Sequence, residues 1–211
     1  MPRKISTSLN HYLFFYNAAE VVMWGAILLR LFLVTRSSGY KEAHDNLSKH
    51  LIFVQSTAIL EVLHVALGWV PSPLLTTATQ VASRLLLVWG IDYLFPYITR
   101  ESYAYSSMVV AWSITEVLRY SYYAINLRQA VPQALLWARY TLFYVLYPMG
   151  AGSEAWLVYK SLTAARAKSP LYANSLIAIL FIYVPGFYFL YTYMIAQRRK
   201  MFKRQGKKPT K

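Results

Sequence analysis

No cysteine occurs among the 211 residues. Disulfides, thiolate metal sites and a cysteine nucleophile are thereby excluded. Acid is scarce too: eight Asp and Glu stand against 22 Lys and Arg, a formal charge of +14. The four histidines, His11, His44, His50 and His64, form none of the closely spaced boxes with which membrane desaturases or condensing enzymes hold iron or do chemistry, which argues against both. There is no internal repeat, low-complexity tract or heptad run. The missing repeat argues against a small transporter, whose halves would be related as inverted repeats.

Apolar residues, by contrast, are abundant. The chain is 57% hydrophobic and 14% charged, with a mean hydropathy of +0.32. Soluble domains of this length rarely have such a composition, and polytopic membrane proteins do. The economical reading is one all-α domain over residues 1–211, a bundle of six transmembrane helices. A span needs about 20 mostly apolar residues. Six stretches qualify, near 13–34, 50–70, 74–95, 103–125, 133–162 and 174–197. The third has a polar first half, with Thr76, Thr77, Thr79, Gln80, Ser83 and Arg84. Pro71 and Pro73 break the chain before it and Pro96 stops it, because proline cannot donate the next helical bond. Residues 35–49 read as the longest loop, polar and carrying the acceptor sequence Asn46-Leu47-Ser48 for N-glycosylation. The first apolar stretch is too long for a signal-peptide core and reads as a retained span.

Eight cations lie between Arg198 and Lys211 with no acid among them. Such a run suits nucleic acid or a membrane surface. It directly follows an apolar segment, so the reading is a cytoplasmic tail touching anionic headgroups, with membrane lipid rather than nucleic acid as its partner. Lys207 and Lys208 resemble a lysine-based retrieval signal for the endoplasmic reticulum, one residue out of register. Six spans put both termini on one side, and Arg3, Lys4 and the tail assign that side to the cytoplasm. The opposite loops carry Arg36, Lys41, Lys49, Arg100, Arg166 and Lys168, so the bias rests on the tail.

Five of the eight acids, Glu20, Glu61, Asp92, Glu116 and Glu154, fall inside the expected spans, as do Arg30, Arg84, Arg119 and Arg139. Each such charge costs at least about 2.5 kcal/mol at bilayer depth, so these groups should face the bundle interior and find partners. Glu116 and Arg119 share a helix face and can pair, as a structural ion pair or as a substrate-site cation held by an acid. Glu61 and His64 have the Glu-x-x-His spacing of di-iron bundles, but those sites need a second such motif and two more glutamates. A packed polar pair is the reading, with no metal. Gln80 and Arg84 make one polar stripe four residues apart. Arg119 and Arg139 suit carboxylates or ligand phosphates, which guanidinium holds bidentately.

The segment from Arg139 to Glu154 is the most informative. Tyr147 and Glu154 are seven residues apart, close to two helical turns, and project from nearly one face. They lie roughly 10.5 Å apart along an ideal axis, so a substrate could lie between them. Pro148 should kink or widen the turn, and Gly150 and Gly152 let a thin ligand or another helix approach. A proline-kinked packing face of small residues is the rival explanation.

These residues resemble the very-long-chain (3R)-3-hydroxyacyl-CoA dehydratase family, formerly called protein-tyrosine-phosphatase-like. The resemblance covers nearly the whole chain. It rests on residues 12–17, 60–64 with Gly68, 80–84, Trp89-Gly90, 112–116, 119–122, Arg139-Tyr140, 146–154 and 183–186. It implies that Tyr147 and Glu154 are the catalytic pair and that no metal or redox cofactor is needed. The implied reaction is removal of water from a 3-hydroxyacyl-CoA to give a trans-2-enoyl-CoA, the third step of fatty-acid elongation in the endoplasmic reticulum. The implied partners are the condensing enzyme, the ketoacyl-CoA reductase and the enoyl-CoA reductase. Dehydration needs a base for the C2 proton and an acid for the departing hydroxyl. Glu154 is the expected base and Tyr147 the expected acid, with the reverse chemically open. By the same resemblance Glu61, Gln80, Arg84, Glu116, Arg119, Arg139 and Gly150 should shape the pocket or bind the thioester and CoA phosphates. A catalytically silent scaffold of the same fold, binding elongation enzymes or phosphotyrosine proteins, is the alternative.

Overall fold

The computed structural model describes residues 6–205, and the described residues contain helices and no strand. Arg3, Lys4, Lys207, Lys208 and Lys211, on which the charge asymmetry and the retrieval signal rest, lie outside them.

Helix α1 covers Thr7–Ser38; Ser6 caps it, accepting from the Leu9 amide at 3.2 Å. Gly39 (φ 87°) then reverses the chain, a backbone state that a side chain would disfavour. Helix α2, Lys41–Thr57, starts two residues later. Residues 35–49 are therefore almost wholly helical, which corrects the expected long loop. The reason is amphipathicity: Ala43, Leu47, Leu51 and Val54 are buried on one face at helical spacing, while Lys41, Glu42 and Asp45 are exposed. Asn46 is on this helix, its side-chain amide on the Glu42 carbonyl at 2.8 Å. The Ser48 hydroxyl donates to Asp92 at 2.6 Å. That acceptor sequence is helical and engaged, not a free loop.

Ala58 barely interrupts the rod before α3, Ile59–Ala66. Helix α4, Leu74–Leu85, passes directly into a π-helical segment, Leu86–Tyr93. The wider turn disturbs the ladder, and the Tyr172 hydroxyl bonds the Gly90 carbonyl at 2.8 Å. After short α5, Pro96–Arg100, comes α6, Tyr103–Asn126. Only Leu142 separates α7, Gln133–Thr141, from α8, Phe143–Lys168. Helix α9, Pro170–Gln205, carries Arg198, Arg199, Lys200 and Lys203 as helix, so the described part of the basic tail extends the rod.

Helix α6 packs against both α1 and α8, and α9 packs against α8. Trp24, Leu31, Leu47, Leu51, Leu87, Ile91, Met108 and Leu157 belong to one buried cluster. Helix α8 buries Leu157, Val158, Ser161 and Ala165 in its C-terminal half and Phe143, Gly150 and Ser153 in its N-terminal half.

Three helical stretches, Thr7–Ser38, Leu74–Tyr93 and Pro170–Lys203, are long and apolar enough to cross a membrane. The exterior fits that medium. Phe15, Val22, Leu29 and Phe32 of α1 and Phe181, Val184, Tyr188 and Phe189 of α9 point outward, while Glu20, His64, Asp92 and Glu116 are buried. Large apolar groups outside and charges inside invert the pattern of a water-soluble domain.

Candidate active site

Helix α8 supplies the two expected residues. Pro148 removes the amide that would bond the Tyr144 carbonyl, yet α8 runs through unbroken. The freed carbonyl takes a long bond of 3.5 Å from the Tyr191 hydroxyl of α9. The irregularity expected at Pro148 appears instead one and a half turns earlier, at Leu142. Tyr147 and Glu154 thus stay on one face of a single helix.

Tyr147 is half-buried and held by rings. Phe187 stacks on it at 5.1 Å between centroids and Tyr191 at 6.2 Å. Glu154 is held by hydrogen bonds from two other helices. The Trp112 indole of α6 donates to Oε1 at 2.7 Å. The Tyr183 hydroxyl of α9 donates to Oε2 at 2.9 Å. Gly150 faces α6 at this point. A Cβ there would stand 3.4 Å from the Ala111 Cβ, 3.9 Å from Glu154 Oε1 and 4.0 Å from Trp112 Cδ1. These are ordinary contacts, so Gly150→Ala should fold with its activity and melting temperature little changed, since alanine also suits a helix better by about 1 kcal/mol. Gly150→Leu should drive a branched chain into Trp112 and Ala111 and lower both. Thermal melts and turnover of the two variants in detergent check this.

Behind Trp112 lies a charge network. Arg84 sits with its Cζ 4.9 Å from the Trp112 ring centre and ion-pairs with Glu116. The pairing of Glu116 with Arg119 expected from their spacing is present, at 2.6 Å. Arg119 continues to both oxygens of Glu61, each at 2.7 Å, and the Tyr120 hydroxyl also donates to Glu61. Two arginines and two carboxylates thus balance in one chain of contacts. Glu61 does not pack with His64, which instead meets Tyr12 at 3.0 Å and stacks on Trp69. The fork of Arg119 reaches Glu61 first, and a guanidinium satisfies a carboxylate better than an imidazole does. Among the described residues no three His, Cys, Asp or Glu side chains are grouped to hold a metal ion.

Gln80 is exposed on α4, outside this network. Arg139 has no carboxylate partner among the described residues. Its guanidinium lies 4.4 Å from the Tyr122 ring centre and 5.0 Å from that of Tyr123. It lines a cleft of about 340 Å³ with Arg119, Tyr140, Leu146, Met194 and Gln197. The cleft opens beside the N-terminal half of α8, one residue from Tyr147. Next to it, Arg198 of α9 donates to the Thr141 hydroxyl at 3.3 Å.

Two residues at the site went unassigned in the sequence. Trp112 and Tyr183 stand in matched motifs, but nothing local says they meet Glu154, since they are 42 and 29 residues from it. Tyr183 is turned inward, to α8.

Known proteins resemble this chain over most of its length. The family model described as protein tyrosine phosphatase-like protein, PTPLA, matches residues 55–204. A protein of Schizosaccharomyces pombe named probable very-long-chain (3R)-3-hydroxyacyl-CoA dehydratase is 45% identical over 94% of this chain and 96% of its own. A very-long-chain (3R)-3-hydroxyacyl-CoA dehydratase of Caenorhabditis elegans is 40% identical over 95% of this chain and 99% of its own. Very-long-chain (3R)-3-hydroxyacyl-CoA dehydratase 2 of Homo sapiens is 38% identical over 90% and 80%. No solved structure matches. With 150 of its 211 residues inside the family model and its tyrosine and glutamate on one helix face, this chain belongs to the protein tyrosine phosphatase-like (PTPLA) family.

Proposed function

We propose that this chain is a membrane hydro-lyase that converts very-long-chain (3R)-3-hydroxyacyl-CoA to trans-2-enoyl-CoA and water. The observation that carries the mechanism is the Trp112 indole 2.7 Å from Glu154 Oε1. An indole N–H can only donate, so that oxygen is an acceptor, as a general base requires. Glu154 takes the proton from C2. The C–H electrons form the C2=C3 bond, and the hydroxyl leaves C3 with the Tyr147 proton as water. Proton transfer back from Glu154 to the Tyr147 phenolate, directly or through solvent, restores the pair. No cofactor enters this scheme. The names of the relatives support the substrate class.

The cleft beside Arg139 is the mouth for CoA in this reading. Arg119 and Arg84 are committed to carboxylates, which leaves Arg139 to meet a phosphate. Six spans, with the C-terminal end of α9 and the N-terminal end of α8 on the cytoplasmic side, would turn that mouth to the cytosol. The acyl chain then runs past Tyr147 and Glu154 into the bundle. Location in the endoplasmic reticulum beside the condensing enzyme and the two reductases of elongation, as the third step of the cycle, completes the reading.

Two measurements test it. The purified chain in detergent should turn (3R)-3-hydroxyacyl-CoA of long chain length into the enoyl product. A folded protein inactive on several chain lengths would favour the scaffold. Arg139→Ala should raise KM for the CoA ester roughly tenfold with kcat little changed, the size of one lost charge-assisted hydrogen bond. A pantetheine thioester, which lacks the nucleotide phosphates, should not feel the change.

A further inference from the structure

Glu154 is gripped from two sides by groups that transfer no proton in the dehydration scheme. Trp112 belongs to α6 and is 2% exposed. Tyr183 belongs to α9, where Phe181, Ile182 and Val184 around it all point outward. Its hydroxyl nevertheless turns inward to α8. Each donor takes a different oxygen of the same carboxylate. A side chain bonded through both oxygens to two separate helices cannot rotate about its terminal bond without breaking at least one bond. Each oxygen still keeps a second lone-pair site, so a substrate proton can be accepted while the grip holds. On its other side the Trp112 ring meets the Arg84 guanidinium, itself fixed by Glu116. The indole is thus trapped between a cation and the base.

We propose that Trp112 and Tyr183 are positioning residues that clamp the Glu154 carboxylate in the orientation for proton abstraction. The inference rests on the dehydratase reading above. A base displaced by a fraction of an ångström from its proton loses rate without losing substrate affinity, because binding comes from the acyl chain and the CoA mouth. The loss therefore belongs in kcat, and in the proton-transfer step itself.

The test uses the full chain in detergent, as wild type, Trp112→Phe and Tyr183→Phe, with substrate carrying hydrogen or deuterium at C2. Tyr183→Phe removes one oxygen and keeps the ring, so it should fold even if Trp112→Phe, which thins a buried site, does not. The expected result is a fall in kcat of about ten- to hundred-fold with KM within about twofold. The deuterium isotope effect should rise above the wild-type value as proton abstraction becomes more fully rate-limiting. A merely structural role would lower the folded fraction and leave the isotope effect of the remainder unchanged. A folded Tyr183→Phe with wild-type kcat and isotope effect, or with a change in KM alone, overturns the clamp and leaves the dehydratase reading standing. A wild type without turnover overturns both.

Discussion

Glu154→Gln loses turnover of a long-chain 3-hydroxyacyl-CoA by about 10²- to 10⁴-fold while remaining folded, the range spanned by a lost general acid or base. The substitution suits the question because glutamine can keep both hydrogen bonds of the site. Its amide oxygen accepts from the Trp112 indole, and its amino group donates to the Tyr183 oxygen in place of the bond now running the other way. What it lacks is basicity. Tyr147→Phe is the matching change on the proposed acid. The ring keeps its stacking on Phe187 and Tyr191, and only the hydroxyl goes. Its expected loss is of the same order, because a hydroxide leaving C3 without a proton is a poor leaving group. The two losses should not add in the double variant, since each removes one half of a single step.

The second large effect is on stability. Glu116 is buried and stands between Arg84 and Arg119. Glu116→Ala removes the acid between two cations and leaves Arg84 without its carboxylate. Breaking a buried pair in this way costs about 3–5 kcal/mol, chiefly from the charge left unpaired. Domain stabilities are about 5–15 kcal/mol, so the folded yield and the melting temperature in detergent should both fall well below wild type. The Arg84 contact with Trp112 should loosen too, so the fraction that folds should turn over slowly. Arg139→Ala is the contrast: it breaks no ion pair among the described residues and should melt near wild type.

That Tyr147 and Glu154 share one face of a single helix was legible in the sequence, because seven residues of helix bring two side chains to one face. Glu116 with Arg119 was legible for the same local reason. Contacts between helices were not. Arg119 finds Glu61 across 58 residues and Trp112 finds Glu154 across 42. Periodicity says which face of a helix is buried, but not which helix it meets. The segment 35–49 was misread because Lys41, Glu42, His44, Asp45 and Lys49 make its mean polarity high. Its buried stripe of Ala43, Leu47, Leu51 and Val54 was in plain view at helical spacing. Gly150 reads in the sequence as room for a thin ligand or another helix; in the fold the neighbour is α6, through Ala111 and Trp112.

The most direct measurement is the rate of enoyl-CoA formation from a long-chain (3R)-3-hydroxyacyl-CoA by purified wild type, Tyr147→Phe and Glu154→Gln, assayed side by side with melting temperatures. The account predicts an active wild type and two variants that melt like it and have lost nearly all turnover. A folded Glu154→Gln that works at the wild-type rate would contradict it.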